Sequence, residues 1–156
     1  MNVNDPSNRR ADIRERLLSD FRSHQPLTDL LAEAVDDPAA AIQPKWVGRS
    51  YHNDEDSDPP EAMILLSFVT NVTERDNAIE RKNYTIQIEV EISPTVIRSL
   101  RQSWIDEVND VIDTRMIPHS DMWNSDGLTG GIIEPQWFDD RGRFVTVERY
   151  DIWRRD

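Results

Sequence analysis

Residues 84–92 alternate without interruption, with Tyr84, Ile86, Ile88, Val90 and Ile92 set against Thr85, Gln87, Glu89 and Glu91. A period of two sends successive side chains to opposite faces, so the stretch predicts a strand with its apolar side inward and its polar side outward. Upstream, Met63 to Val72 is almost continuously apolar, the pattern of a strand covered on both faces. The charged run TERDNAIERK (73–82) predicts a long hairpin tip between them. Near the N-terminus, Ile13, Leu17, Leu18 and Phe21 recur at helical spacing behind Ser7, a capping residue type. Pro26 opens a second, shorter helix with Leu27, Leu30, Leu31 and Val35 on one stripe, ending before Pro38.

Between that helix and the apolar strand, Gln43 to Tyr51 reads as an irregular strand around Trp46 and Val47. It is followed by an acidic, proline-containing stretch over 52–62 that predicts an exposed loop. Ser93-Pro94 is a helix start, because a proline at the first helical position gives up an N–H that has no partner there. The helix is expected to run unbroken to about Arg115, with Ile97, Leu100, Trp104, Val108 and Val111 on its buried face. A loop from Met122 to Gly131 then leads into strands Ile132 to Phe138 and Phe144 to Trp153, joined by the turn Asp139-Asp140-Arg141-Gly142. The last strand mixes apolar and charged residues on both faces, as a strand at a subunit contact or a bulged strand does.

The elements thus follow the order α-α-β-β-β-α-β-β. They define an α+β fold: an antiparallel or mixed sheet of four to five strands, flanked by N-terminal helices and one long central helix. At 156 residues the chain reads as a single domain over 1–156, with residues 1–7 expected to be flexible.

Charge changes this picture more than length does. The net charge is −12, Asp outnumbers Glu by 19 to 11, and Arg outnumbers Lys by 16 to 2. Both biases resemble haloarchaeal proteins, whose surface carboxylates remain hydrated in concentrated salt. At 1 M salt the Debye length is about 3 Å, so such a surface repels itself little there and strongly in dilute buffer. It also repels phosphate, which argues against sequence-specific nucleic-acid binding. The charge is uneven: residues 1–22 carry +1 and residues 141–156 carry +2, which leaves −15 on the body between them. Ends of that kind fit an acidic neighbour, including another copy of the chain.

Candidate chemistry is sparse. The absence of Cys removes disulfides, thiol nucleophiles and cysteine-ligated zinc. No apolar run approaches the length of a membrane span, and MNVNDPSNRR is too polar for a signal peptide. The histidines at 24, 52 and 119 lack metal-binding spacing, and His119-Ser120-Asp121 has triad residue types without triad geometry. Asp54, Asp56 and Asp58 alternate as in a calcium loop, but Leu65 stands where that loop needs its bidentate Glu. Asp106, Asp110 and Asp113 fall opposite the apolar stripe of their helix and read as its solvent face. No catalytic, cofactor or metal site is therefore expected, and the chain does not read as an enzyme. Trp153-Arg154-Arg155 is the better lead, since Trp and Arg dominate binding hot spots.

An N-terminal helix, the proline-preceded strand PPEAMILLSF, a charged hairpin tip and the alternating strand NYTIQIEVEIS come first. A helix, a loop and the terminal ERYDIWRRD with its R-Y-x-I pattern complete a layout that resembles the tail terminator or tail-completion proteins of tailed viruses, here in a haloarchaeal form. The resemblance implies a structural virion protein, assembled in the host cytoplasm, that forms a homohexameric ring. Such a ring caps the tail tube and docks the neck or connector protein. It further implies that Arg75, Arg81 and Lys82 on the hairpin tip, with Trp153, Arg154 and Arg155, contact a neighbouring copy. The short helix at 26–36 and the acidic loop depart from the layout and leave an adjacent neck or head-completion protein open. A halophilic cytoplasmic binding protein unrelated to virions is the other alternative.

Overall fold

The structure, a computed structural model, describes residues 6–45, 60–74, 81–101, 103–116, 123–140 and 142–154. Helices α1 (Pro6–Ser23) and α2 (Gln25–Ala32) lead through a short 3-10 turn at Ala39–Ala41 into β1 (Ile42–Pro44). Strands β2 (Ala62–Glu74) and β3 (Arg81–Ile92), helices α3 (Pro94–Ser99) and α4 (Trp104–Met116), and strands β4 (Trp123–Phe138) and β5 (Arg143–Arg154) follow. The class is α+β, with one mixed sheet in the order β1-β2-β3-β5-β4. Only the β1–β2 pairing is parallel.

Alternation decides which residues meet the helices. Ile64, Val90 and Thr146 lie in register across three strands, as do Leu66, Ile88 and Glu148. On this face Ile64, Leu66, Ile86, Ile88, Val90, Ile92 and Tyr150 form one core with Leu17 and Phe21 of α1, Leu27 and Leu31 of α2, and Trp104, Val108 and Ile112 of α4. Polar ties hold the layers in place. The Trp104 indole N–H donates to Leu30 O at 3.0 Å, and the Arg22 guanidinium donates twice to Ile42 O, at 2.7 and 3.0 Å. The Arg115 guanidinium pairs with Asp20, joining the end of α4 to α1.

The opposite face differs from its sequence pattern. Glu89 and Glu91, expected to point to solvent, are 3% and 0% exposed, beside buried Met63, Leu65, Val145 and Val147. Lys45 Nζ pairs with Glu89 at 2.8 Å, Gln87 Nε2 donates to the same carboxylate at 3.0 Å, and Arg149 Nε donates to Gln87 Oε1 at 3.0 Å. From Val145 to Glu148 both faces of β5 are thus buried within the chain. That accounts for the mixed character of this part of the strand.

Three further expectations change. The single helix over 93–115 is two helices, α3 and α4, because the chain turns extended at Leu100 (φ −103°, ψ 161°). Residues 123–131, expected as a loop, pair with β5 and extend β4 by nine residues. The strands of the β2–β3 hairpin continue to Glu74 and Arg81, narrowing the charged tip; its remaining residues, 75–80, lie outside the described residues. So do 46–59, which hold most of the irregular strand and the acidic loop. Among the described residues, no helix is long and apolar enough to cross a membrane.

Candidate interaction surface

Four of the six residues expected at a subunit contact come together at one end of the sheet. Arg81 and Lys82 begin β3 opposite Glu74 and Thr73 of β2. Trp153 is paired with Asn83 of β3 on one side and Asn124 of β4 on the other, and Arg154 faces Trp123. The backbone registers alone place these positions side by side, since all four long strands reach this end. Arg75 and Arg155 fall outside the described residues.

The sheet's edges are poorly suited to pairing with another chain. β1 is three residues long and closes with Pro44, which has no N–H to donate. β4 is 16 residues long, but its register against β5 shifts three times, and Pro135 stands within the last shift. Bulges and proline are the usual devices that blunt an exposed edge.

The other end of the sheet carries a small apolar groove of about 130 Å³. It is lined by Ile92, Val96, Ile97, Leu100, Trp104, Ile105 and Pro135, with Arg101 at its margin. The break between α3 and α4 creates it. Ser93 caps α3, its hydroxyl oxygen accepting from Val96 N–H at 3.3 Å while the hydroxyl donates to Glu61. The chain then turns at Leu100, and α4 starts afresh, burying Trp104, Ile105, Val108, Ile112 and Met116. Ile97 therefore leaves the buried stripe expected for it and is 37% exposed. Trp137, packed edge-on against Phe144 with ring centroids 5.1 Å apart, is 47% exposed. These two are the large exposed hydrophobics among the residues whose side chains are described, and both lie at this end of the sheet.

The charged residue that lines the groove, Arg101, is itself held by two acids. Arg101 binds Glu33 through two nitrogens, at 2.8 and 3.1 Å, and Glu107 through Nε at 2.6 Å. These hydrogen bonds hold both carboxyls below the usual carboxylate range. Asp106 and Glu134, which adjoin the lining residues Ile105 and Pro135 in sequence, are exposed, and Trp137 Nε1 donates to Asp139 Oδ1 at 2.5 Å. The sequence pattern did not isolate this groove. Its one legible signal is Ser103, a capping residue type with the first-turn acids Asp106 and Glu107 three and four residues later, which marks a second helix start.

A second polar cluster is closed inside the core. Glu148 on β5 is 5% exposed and meets the Tyr150 hydroxyl, which also lies 3.1 Å from Asp113 Oδ1 on α4. Asp113 thus leaves the solvent face expected for it, whereas Asp106 and Asp110 remain exposed. Burial, the leading cause, pushes the Glu148 carboxyl up, and the nearby Asp113 and Asp110 charges act in the same direction; the Tyr150 hydrogen bond opposes them. Asn109 Nδ2 donates to Thr146 Oγ1 at 3.3 Å in the same layer.

No protein-family model matches the chain, and no curated protein matches it.

Proposed function

We propose that the protein is a structural subunit of a virion, a tail terminator whose copies close into a ring that caps the tail tube and meets the neck connector. The observation that carries this reading is where self-association remains possible. Among the described residues, the sheet face under the helices and the central part of the opposite face are buried and both sheet edges are blunted, while the two ends of the sheet carry unlike groups. One end gathers Arg81, Lys82, Trp153 and Arg154; the other carries an apolar groove whose charged lining residue, Arg101, is held by Glu33 and Glu107. Unlike ends that fit one another make a head-to-tail contact, and such a contact generates a ring when its rotation closes. Arg suits these contacts in high salt because its planar fork holds carboxylates bidentately.

The direct test is absolute mass by light scattering in about 2–3 M salt, where surface repulsion is screened, followed by negative-stain imaging with and without tail tubes. A ring of six, alone or on tubes, supports the reading. A persistent monomer or dimer that ignores tubes sinks it. Replacing Arg81, Lys82 and Arg154 by Ser is expected to weaken the ring while leaving the melting transition in place.

A further inference from the structure

We propose that Tyr150 is a proton-controlled tie between α4 and the sheet: its hydroxyl bonds to Asp113 on α4 while Glu148 carries a proton, and turns to Glu148 once that proton is lost. The geometry is a chain of three groups. The hydroxyl meets Glu148 on its own strand and lies 3.1 Å from Asp113 Oδ1 on α4. Its single proton serves one carboxylate at a time. A protonated Glu148 donates to the hydroxyl oxygen and leaves the phenol proton for Asp113. An ionised Glu148 takes that proton instead. It is the more deeply buried carboxylate, at 5% exposed, whereas Asp113 is half-buried and can turn to water. The phenol keeps its proton throughout, because burial and then the Glu148 bond push its pKa up.

The surroundings oppose ionisation. Asp113 and Asp110 act on Glu148 from α4. Its register partners are the apolar Ile88 of β3 and Gly131 of β4, which has no side chain. The one cation of α4, Arg115, is held by Asp20 of α1. Ionisation therefore adds a third negative charge beside Asp110 and Asp113 and removes the Tyr150–Asp113 bond at the same time. The Asn109–Thr146 bond does not depend on this proton and stays. Because burial raises the Glu148 pKa, the tie is complete near the ordinary glutamate value and is lost as pH rises through the higher folded value. Helix α4 also supplies Trp104 and Ile105 to the apolar groove, so the proton on Glu148 sets how firmly that wall is held.

A double-mutant cycle on Tyr150→Phe and Asp113→Ala measures the tie, read by denaturant unfolding in about 2–3 M salt from about pH 5 to 9. A hydrogen bond to a charged group gives an expected coupling of about tenfold in the unfolding constant at about pH 5, shrinking towards none at the alkaline end. In a Glu148→Gln background the side-chain amide donates to the hydroxyl at every pH, so the coupling is expected to stay near its acid value. The titration of His24, lowered by burial and by Arg115, is common to all the chains and cancels in the cycle. Coupling that is absent at the acid end, or constant across the series with Glu148 in place, overturns the proposal. So does coupling that falls with pH in the Glu148→Gln background. Should a variant fail to fold, hydrogen exchange of the unaltered chain decides. Protection of the amides at 109–116, corrected for the intrinsic pH dependence of exchange, is expected to fall relative to α1 as pH rises, and a constant ratio overturns the tie. Neither measurement needs an assembled ring, so the tie stands or falls apart from the proposed function.

Discussion

Replacing Glu148 by Gln tests the account of the core more sharply than any truncation. The Tyr150 hydroxyl has one proton but lies within hydrogen-bond reach of two carboxyls, on Glu148 and Asp113. Both contacts are satisfied together when Glu148 is protonated and donates to the hydroxyl oxygen, while the hydroxyl donates to Asp113. Burial favours that state, because it raises the Glu148 pKa above the ordinary glutamate value. Between the unfolded and folded values the native protein holds one proton more than the unfolded chain. Stability therefore falls as pH rises through that window, by up to about 1.4 kcal/mol per pH unit, and levels off once Glu148 ionises in the folded state. The Glu148→Gln side chain keeps the size and supplies a neutral donor, so the fall is expected to disappear and the variant to be the more stable protein at the alkaline end. The assay is denaturant unfolding of both proteins from about pH 5 to 8 in concentrated salt, which screens the surface carboxylates and leaves a buried one largely unscreened. Parallel pH profiles for the two proteins would refute the shared-proton account.

Two other perturbations probe the frame around the groove. Trp104→Ala removes a 2% exposed indole and its hydrogen bond to Leu30 O, and is expected to cost about 3–5 kcal/mol in denaturant unfolding; a loss below about 1 kcal/mol would mean that α2 and α4 are not joined there. Gly142 ends the β4–β5 turn at φ +63° with its N–H donated to Phe138 O at 2.9 Å, and a Cβ there would meet nothing within 4 Å. Gly142→Ala is accordingly expected to cost about 1 kcal/mol through backbone strain alone, with Gly142→Asn recovering much of it; equal losses would point to something other than φ.

Periodicity made much of the architecture legible, and where it failed the reason is physical. The alternation of 84–92 marks the central strand whatever surrounds it, because the pleat is a property of the backbone. The stripes of Leu17 and Phe21, and of Leu27 and Leu31, likewise declare amphipathic helices before any packing is known. Ser93-Pro94 marks a helix start by local chemistry. By contrast, residues 123–131 contain Gly127, Gly130 and Gly131 and little apolar pattern; their strand exists because β5 offers a pairing partner. The break at Leu100 escaped detection because Ile97, Leu100, Trp104 and Val108 keep a helical spacing across it, although the backbone does not.

Local sequence thus determined which segments are strands and helices with an apolar side, and the acidic character of the surface, since those depend on side-chain period and charge alone. Tertiary structure decided everything that depends on what lies across from a residue. It buried Glu89 and Glu91 on a face that alternation assigns to water, drew Asp113 toward Tyr150, and left Ile97 outside the core. It also brought Arg81 and Lys82 beside Trp153 and Arg154 through strand register, across about 70 residues of chain that no local pattern can bridge.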